Sequence, residues 1–306
     1  MLIPARQIPT QEIVLPLLQE KRVRLFVRRE DMIHAKVSGN KFRKLQYNLV
    51  AAQEQGHDSL LTFGGAFSNH IAATAAAAKL VGMNSIGVIR GEELGKSASL
   101  NATLNYAKAA GMQLKFMSRA DYRVKDSSSI REQLIDEFGS FYWIPEGGTN
   151  ALAVKGCEEI LSEADSTYTH ICCAVGTGGT LAGIVNSAAA EQQILGFPAL
   201  KGDFLRDEID KFAVKKTYRL ITDYHFGGYA KVNSALIHFI NEFRAKTTIL
   251  LDPVYTGKML FGVLDMAAKG HFEPGSSILA IHTGGLQGIE GMNHKLKNKD
   301  LPTILL

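Results

Sequence analysis

The sequence has few cysteines, a single tryptophan and no long run of charge of one sign. Its three cysteines, Cys157, Cys172 and Cys173, form neither a C-x-x-C pair nor a metal-ligand spacing. We therefore expect reduced thiols, no bound metal and a cytoplasmic protein. The net charge of +4 is spread along the chain, and its basic runs are short. This argues against a nucleic-acid partner and is compatible with an anionic small molecule.

Long hydrophobic runs are also lacking. Residues 171–190 have the length of a membrane span, but they include four glycines, two threonines and an asparagine. A buried strand, a turn and a helix explain this stretch better than a span does. The first ten residues, MLIPARQIPT, contain no apolar core of a secretion signal. We therefore expect no membrane association.

What the sequence does contain is an alternation of short apolar runs with helical patterns. The runs predict strands at residues 23–27, 60–63, 85–89, 113–117, 141–144, 170–175, 218–221 and 277–282. The helical patterns between them include residues 42–53, 71–81 and 97–110. Such alternation is typical of an α/β fold with mainly parallel sheet. With 306 residues, 46% of them hydrophobic, the chain can form one large domain or two of ordinary size.

The first candidate site is a basic helix start in the segment HAKVSGNKFRKLQYNL, residues 34–49. Ser38 or Asn40 can cap a helix whose first turn then contains Lys41, Arg43 and Lys44. Cations in a first turn oppose the helix dipole at a cost of up to ~1 kcal/mol. Together with the neighbouring cations, this position predicts a lowered pKa for the Lys41 amine. A low-pKa amine suits a Schiff-base lysine; the alternative is an ordinary solvated basic face.

The second candidate site lies in LLTFGGAFSNHIAATAAAAKL, residues 60–80. A strand runs into two glycines, and then Ser68, Asn69 and His70 open an alanine-rich helix. Free backbone N–H groups at such a helix start bind carboxylates. The alternative is that Ser68 is only a helix cap and that the alanines allow close packing.

The third candidate site lies in HICCAVGTGGTLAGI, residues 170–184. The glycines of residues 176–180 let backbone N–H groups turn towards a phosphate, and two threonines add hydroxyl donors. The pattern is not a dinucleotide fingerprint, because Leu181 stands where that motif needs glycine. A cradle for one monophosphate fits it better, and a plain tight turn is the alternative.

The fourth candidate site is a pair of C-terminal segments, DPVYTGKM at residues 252–259 and AIHTGGLQG at residues 280–288. Tyr255 follows a turn opened by an Asp-Pro pair. His282 and Thr283 come where a strand ends, and parallel α/β sheets bind ligands at that edge. The alternative is a core histidine with a turn threonine.

Together these segments resemble one family. The motifs that carry the resemblance, in chain order, are SGNKFRKL, GGAFSNH, PEGGTN, GTGGT, DPVYTGK and HTGG. Their order and spacing resemble the aminocyclopropane-carboxylate deaminase and D-cysteine desulfhydrase family of the tryptophan-synthase-β-like, type II pyridoxal-phosphate enzymes. The similarity covers residues 24–288, and the chain is shorter than typical members, with residues 188–216 compressed.

The resemblance implies an architecture and an assembly. We expect an α/β fold of two domains with twisted, mainly parallel sheets. A small α/β domain, residues 44–152, would be inserted in a large cofactor-binding domain made of residues 1–43 and 153–306. The cofactor, pyridoxal 5'-phosphate, would lie in the cleft between them, and the protein would be a homodimer.

The resemblance also implies roles for individual residues. Lys41 would hold the cofactor as a Schiff base and later move the proton at the substrate α-carbon. Ser68 would bind the substrate carboxylate and is a candidate base, Asn69 would bind the cofactor's 3-oxygen, and Thr283 would face the pyridine nitrogen. The cofactor-binding set is Lys41, Asn69, Gly176, Thr177, Gly178, Gly179, Thr180 and Thr283. The catalytic set is Lys41, Ser68, Tyr229 and Tyr255, and the substrate-binding set is Ser68, Asn69, His70, Tyr229, Tyr255 and Thr256.

Two positions indicate which activity to expect within the family. Cyclopropane deaminases resemble DPVYEGK and HLGG where this sequence has Thr256 and Thr283, a pair similar to the desulfhydrases. Without a carboxylate the ring nitrogen is less protonated, which elimination of a good leaving group tolerates. We therefore favour elimination from the small amino acid D-cysteine, giving pyruvate, ammonia and sulfide. The alternatives are aminocyclopropane-carboxylate deaminase, another lyase or racemase of this fold, and a pyridoxal-phosphate binder without turnover.

Overall fold

The computed structural model describes residues 2–96, 99–202 and 204–306. The strands are β1 (Thr10–Ile13), β2 (Arg24–Arg28), β3 (Ser59–Gly64), β4 (Asn84–Arg90), β5 (Gln113–Met117), β6 (Tyr142–Ile144), β7 (His170–Val175), β8 (Gln193–Pro198), β9 (Tyr218–Leu220) and β10 (Ser277–Ile281). The α-helices are α1 (Pro16–Glu20), α2 (Asn40–Glu54), α3 (Asn69–Leu80), α4 (Ala102–Ala109), α5 (Arg119–Arg123), α6 (Ser128–Phe138), α7 (Ala151–Glu158), α8 (Gly179–Ser187), α9 (Leu205–Asp210), α10 (Ser234–Thr247), α11 (Thr256–Ala268) and α12 (Ile289–Lys297). Strands and helices thus alternate along most of the chain.

The strands form two sheets. The large sheet has six strands in the order β1-β2-β10-β7-β8-β9, and the small sheet has four in the order β5-β4-β3-β6. Only the pairing of β1 with β2 is antiparallel; every other pairing among the described residues is parallel. The predicted α/β class with mainly parallel sheet is confirmed.

Helices cover both faces of the large sheet, which explains its uninterrupted apolar strands. On β7, Ile171 and Cys173 pack in one hydrophobic cluster and Cys172 and Ala174 in another, on the opposite face. A strand buried on both sides needs no polar alternation. Residues 171–190 therefore form a strand, a turn and a helix, as predicted. Among the helices of the described residues, none combines the length and the apolar character that crossing a membrane requires.

The small sheet is also covered on both faces. Helices α2 and α3 pack on one face, where Leu45, Leu49 and Ala77 share a cluster with Leu60 of β3. The other face of β3 carries Phe63, which packs in a cluster with side chains of α5 and α6. The alanines of α3 have small side chains, and most of this helix is buried against the sheet and its neighbours.

Two strands and one helix differ from the prediction. Strands β1 and β8 were not predicted; β8 carries Gly196 and ends at Pro198, and both residue types weaken a strand pattern. Gly196 is needed because a Cβ there would come within 2.6 Å of the Leu181 side chain. The helix predicted at residues 97–110 begins only at Ala102, after its cap Asn101, and residues 97 and 98 lie outside the described residues.

The loops that follow the parallel strands bring the candidate motifs together. GGAFS follows β3, PEGGTN follows β6, GTG follows β7 and HTGG follows β10. All four therefore stand at the carboxyl edges of the two sheets, the edge at which α/β proteins bind ligands.

Candidate active site

A cavity of about 770 Å³, including its open mouth, lies between these carboxyl-edge loops. Most of the predicted site residues line it: Lys41, Ser68, Asn69, His70, Gly176, Thr177, Gly178, Thr180, Tyr229, Tyr255 and Thr283. Gly179 and Thr256 do not. Gln287 and Gly147 also line the cavity, and neither was predicted as a site residue.

The helix that carries Lys41 begins differently from the prediction. Its cap residue is Gly39, with φ 63°, and no side chain caps the helix. Ser38 instead donates to the carbonyl of Asp31 at 2.9 Å, and the Asn40 amide donates to the Thr180 hydroxyl at 2.8 Å. The expectation that Ser38 or Asn40 is the cap was therefore wrong, because both side chains bind other parts of the chain.

Gly39 is required by a close approach of two chain segments. A Cβ at this position would come within 1.9 Å of the Thr283 carbonyl oxygen. The left-handed φ is also one that glycine adopts without strain. This contact sets the start of α2 against the loop after β10 and so places Lys41 in the cavity wall.

The Lys41 amine has a lowered pKa, as predicted, but burial is the main cause. Loss of solvation, followed by repulsion from Lys44, lowers the pKa of Lys41 to about 7. Arg43 does not contribute, because Glu30 accepts two hydrogen bonds of 3.1 Å from its guanidinium and balances its charge. The support expected from Lys44 is confirmed, and that expected from Arg43 was wrong.

This lowered pKa gives a pH-dependence that can be measured on the cofactor-free protein. Only the neutral amine attacks an aldehyde, so covalent capture of pyridoxal phosphate should speed up with pH and level off above about 7. An ordinary lysine has a pKa of 10.5 and would show the rise at far higher pH. Stopped-flow absorbance gives the rates, with a blocked lysine in solution as the control. A capture rate that still climbs steeply through alkaline pH would contradict the assignment.

Lys44 lies one helical turn from Lys41, on the same face of α2. Its ammonium, 2% exposed, donates to the hydroxyls of Thr149 at 2.8 Å and Thr177 at 3.3 Å and to the carbonyl of Gly147 at 3.1 Å. Thr149 and Thr177 also bond to each other at 2.6 Å. Lys44 thus joins the PEGGTN loop to the GTGGT loop.

This donor set fits a phosphate monoester. The GTGGT loop opens α8, whose first N–H groups are free to bind an anion. The hydroxyls of Thr177 and Thr180 and the ammonium of Lys44 add donors and positive charge. The sequence indicates Lys44 only as a cation next to Lys41. Two features could have indicated its role: its spacing of three residues from Lys41, and the second pair of glycines, in PEGGTN.

The start of α3 presents donors to the cavity. Ser68 is the helix cap, and its hydroxyl accepts from the Ile71 N–H at 3.3 Å. The N–H groups of Asn69 and His70 belong to the first turn and have no partner within the helix. Together with the Ser68 hydroxyl hydrogen, they make a set of donors that suits a carboxylate.

His70 is a neutral part of the wall. The Thr62 hydroxyl donates its hydrogen to the Ile144 carbonyl at 2.9 Å, so at 2.8 Å it accepts from Nε2 of His70. Burial, with repulsion from the two lysines, holds the pKa of His70 well below its ordinary value. A Cβ on Gly148 would come within 2.7 Å of this ring, which explains the second glycine of PEGGTN.

The two predicted tyrosines meet across the cavity mouth. Tyr255 caps α11 and is partly buried, whereas Tyr229 lies in the loop HFGGYAK and is 47% exposed. Their ring centroids are 6.2 Å apart in an edge-to-face arrangement. Burial raises the pKa of both phenols, that of Tyr255 well above its ordinary value. Both hydroxyls therefore remain protonated donors at neutral pH.

Thr256 does not lie where the resemblance implied. Its hydroxyl donates to a carboxylate oxygen of Asp252 at 2.6 Å, and its N–H binds the same oxygen at 2.8 Å. It is fully buried behind the wall, so its position does not support the expected contact with substrate. Thr283 does line the cavity. His282 is buried outside it, where Nε2 binds the Leu250 carbonyl at 2.7 Å.

A lysine with a lowered pKa beside a donor set that fits a phosphate, between two mainly parallel sheets, is typical of one class of enzyme. The family model described as "Pyridoxal-phosphate dependent enzyme" matches residues 6–284. The chain therefore belongs to the pyridoxal-phosphate-dependent enzymes, and within them to the aminocyclopropane-carboxylate deaminase and D-cysteine desulfhydrase family. Its cofactor is pyridoxal 5'-phosphate.

The relatives carry both activity names. A Pyrococcus abyssi protein, named provisionally as a 1-aminocyclopropane-1-carboxylate deaminase, is 33% identical over 89% of this chain and 87% of its own. The mitochondrial bifunctional D-cysteine desulfhydrase/1-aminocyclopropane-1-carboxylate deaminase of Arabidopsis thaliana is 31% identical over 87% of this chain and 73% of its own. A crystal structure of an ACC deaminase homologue superposes with a TM-score of 0.83 at 29% identity, covering 97% of this chain and 95% of that one.

Proposed function

We propose that this protein is a pyridoxal-phosphate-dependent lyase that converts D-cysteine and water to pyruvate, ammonia and sulfide. The observation that carries the choice of substrate is the composition of the cavity wall. Among the described residues that line the cavity there are two lysines and several hydroxyl and amide side chains, but no aspartate or glutamate. The wall therefore offers no carboxylate to hold a proton on the cofactor's ring nitrogen.

This absence matters for the choice between elimination and ring opening. Pyridoxal phosphate, when bound, supplies an electron sink for the substrate α-carbon. Thr283 offers that sink a neutral hydroxyl, which stabilises a positive ring less than a carboxylate does. A change of one pKa unit at the nitrogen corresponds to about 1.4 kcal/mol between its protonation states. Loss of a thiolate tolerates a weaker sink, whereas opening a cyclopropane ring, which has no such leaving group, needs a stronger one.

The wall lysines have separate tasks in this proposal. Lys41 would hold the cofactor covalently, and its amine would take the proton from the substrate α-carbon. A free amine with a pKa of about 7 suits this task, because it is available as a base near neutral pH. Lys44, with Thr177, Gly178 and Thr180, would surround the cofactor's phosphate. Asn69 is proposed to bind the cofactor's 3-oxygen.

The remaining wall residues hold the substrate. The Ser68 hydroxyl and the N–H groups of Asn69 and His70 bind the α-carboxylate. Tyr229 and Tyr255 stand at the mouth with protonated hydroxyls, so they can donate to the sulfur as it leaves. Ser68 is also carried over from the family resemblance as a candidate base.

The proposal is tested with purified holoenzyme and a panel of D-cysteine, L-cysteine and aminocyclopropane carboxylate. We expect equal amounts of sulfide, ammonia and pyruvate from D-cysteine and negligible 2-oxobutanoate from the cyclopropane. Protein reduced with borohydride, in which Lys41 is no longer free, is the control for each substrate. Fast 2-oxobutanoate release would refute the argument from the cavity wall. A bound cofactor without turnover of any of the three would favour a different amino-acid substrate.

We also propose a cytoplasmic location, a homodimer and the division of the chain at residues 44 and 152. The three cysteines are buried and unpaired, as expected in a reducing compartment. The homodimer is carried over from the family resemblance. The strands of the small sheet all fall within residues 59–144, inside the proposed small domain. Light scattering measures the assembly, and limited proteolysis tests the domain division.

A further inference from the structure

The segment HFGGYAK, residues 225–231, carries Tyr229 and forms neither helix nor strand; we call it the tyrosine loop. Its backbone is strained. Phe226 and Ala230 both have φ 53°, and between them Gly227 and Gly228 have φ 89° and 114°. Left-handed backbone costs about 1–3 kcal/mol for a residue with a side chain. Contacts outside the loop must therefore hold this conformation.

Lys258 provides those contacts. Its ammonium donates to the carbonyl of His225 at 2.8 Å and to the carbonyl of Gly228 at 2.8 Å. Among the described residues, no other hydrogen bond joins the backbone of the tyrosine loop to an element distant in sequence. The side chain of Tyr229 also shares a hydrogen bond with the Tyr255 hydroxyl. The loop's further hydrogen bonds are internal, such as the Gly227 N–H to Nδ1 of His225 at 2.9 Å. The loop also makes apolar contacts: Phe226 packs edge-to-face on Phe261 of α11 at 5.0 Å, and Phe226 and Ala230 both pack against the hydrophobic core of the large sheet.

The ammonium of Lys258 occupies an unfavourable place for a charge. Lys258 is 2% exposed and stands in the first turn of α11, where both burial and the helix dipole oppose a cation. Burial lowers the pKa of Lys258 to about 8, and the carboxylate of Asp252 partly counters this. Among the described residues, its hydrogen-bond partners are two backbone carbonyls. The two hydrogen bonds to the loop are therefore what the ammonium contributes at this position.

We infer that Lys258 is a positioning residue that ties the tyrosine loop to the first turn of α11 and thereby sets Tyr229 opposite Tyr255. Tyr255 is the cap of that same helix. The positions of both phenols are therefore fixed relative to the first turn of α11. The catalytic consequence rests on the proposed function, in which Tyr229 donates to the leaving group. The structural claim, that Lys258 holds the loop, does not depend on the substrate.

The structural claim is tested by hydrogen exchange on the holoenzyme of Lys258→Met, which keeps the length of the side chain and removes its donors. We expect faster exchange at the amides of residues 227–231 and unchanged exchange in the rest of α11. Lys246→Met, at the exposed end of α10, removes an exposed ammonium that pairs, among the described residues, only with Glu242; it is the control and should leave the loop unchanged. If the methionine variant does not fold, Lys258→Gln, which retains an amide donor, replaces it with a smaller expected effect. Unchanged exchange in the loop would overturn the inference.

The catalytic consequence is tested by a double-mutant cycle with Tyr229→Phe. Misplacing a catalytic group by about 1 Å can cost on the order of 10²-fold in rate. We expect Lys258→Met to lower kcat on D-cysteine by about 10-fold to 10²-fold, with the absorbance of the bound cofactor retained. In the Tyr229→Phe background it should cause no further loss, because both changes disable the same group. Additive losses would overturn the positioning role. Should the wild type not turn over D-cysteine, the proposed function fails and the exchange experiment alone decides the inference.

Discussion

Replacing Lys41 with alanine is expected to abolish the visible absorbance of lysine-bound pyridoxal phosphate and nearly all turnover. The variant loses both the covalent link to the cofactor and the amine that moves the α-proton. Positioned acid–base catalysis alone contributes about 10²–10⁴-fold, so the loss in kcat should be at least of that order. Absorbance of the purified variant with added cofactor and a product assay check the two parts separately.

The matched control for this variant is Lys44→Ala on the same face of α2. It removes the ammonium beside the proposed phosphate cradle and leaves Lys41 in place. We expect weaker cofactor binding but a normal absorbance at saturating cofactor. Borohydride reduction followed by peptide mass analysis identifies the modified lysine directly. Modification of Lys36 or Lys44, or a normal spectrum in Lys41→Ala, would show that the cofactor lysine has been misassigned.

Gly178→Val is expected to weaken pyridoxal-phosphate binding strongly. Gly178 has φ 85°, and a Cβ there would come within 2.8 Å of the Ile209 side chain. The new side chain therefore points away from the phosphate cradle, and the damage comes from the backbone, which must leave its left-handed conformation. Such strain costs about 1–3 kcal/mol, which corresponds to roughly 5- to 150-fold in affinity if the bound state bears it. Titration of the cofactor-free protein, followed by absorbance, measures the change.

Gly275→Val is the control that separates a loss of cofactor binding from the backbone strain that any valine at a left-handed position causes. Gly275 has φ 92° and open space around its Cβ position, and it does not line the cavity. The substitution should lower the free energy of unfolding by a similar amount and leave cofactor affinity unchanged. Cofactor affinity in Gly178→Val equal to that of the wild type would refute the phosphate cradle.

The elements that the sequence predicted well are those with strong local signals. Strand β7 and the glycines after it follow from a run of five apolar or small residues, Ile171 to Val175, that ends at a turn. The start of α3 follows from Ser68, whose side chain caps the helix in the structure as its position implied. Strand β8 was missed because Gly196 and Pro198 interrupt its apolar pattern. Its place between β7 and β9 depends on pairing with residues distant in the chain.

The sequence by itself determined the α/β class, the motif order that identifies the family, and Lys41 as the residue to test. These follow from composition, periodicity and short motifs, all of which are local. Only the tertiary structure decided why the pKa of Lys41 is low, because its desolvation comes from segments that meet at two sheet edges.

The tertiary structure also decided which neighbouring polar groups reach the cavity. Thr256 and Lys258 stand two residues apart in one motif, yet one binds Asp252 behind the wall and the other holds the tyrosine loop. Lys44 reaches Thr149, 105 residues away, across the space between the two sheets. Hydrogen-bond partners of buried polar groups are set by the packing of distant segments, and no pattern within a single segment specifies them.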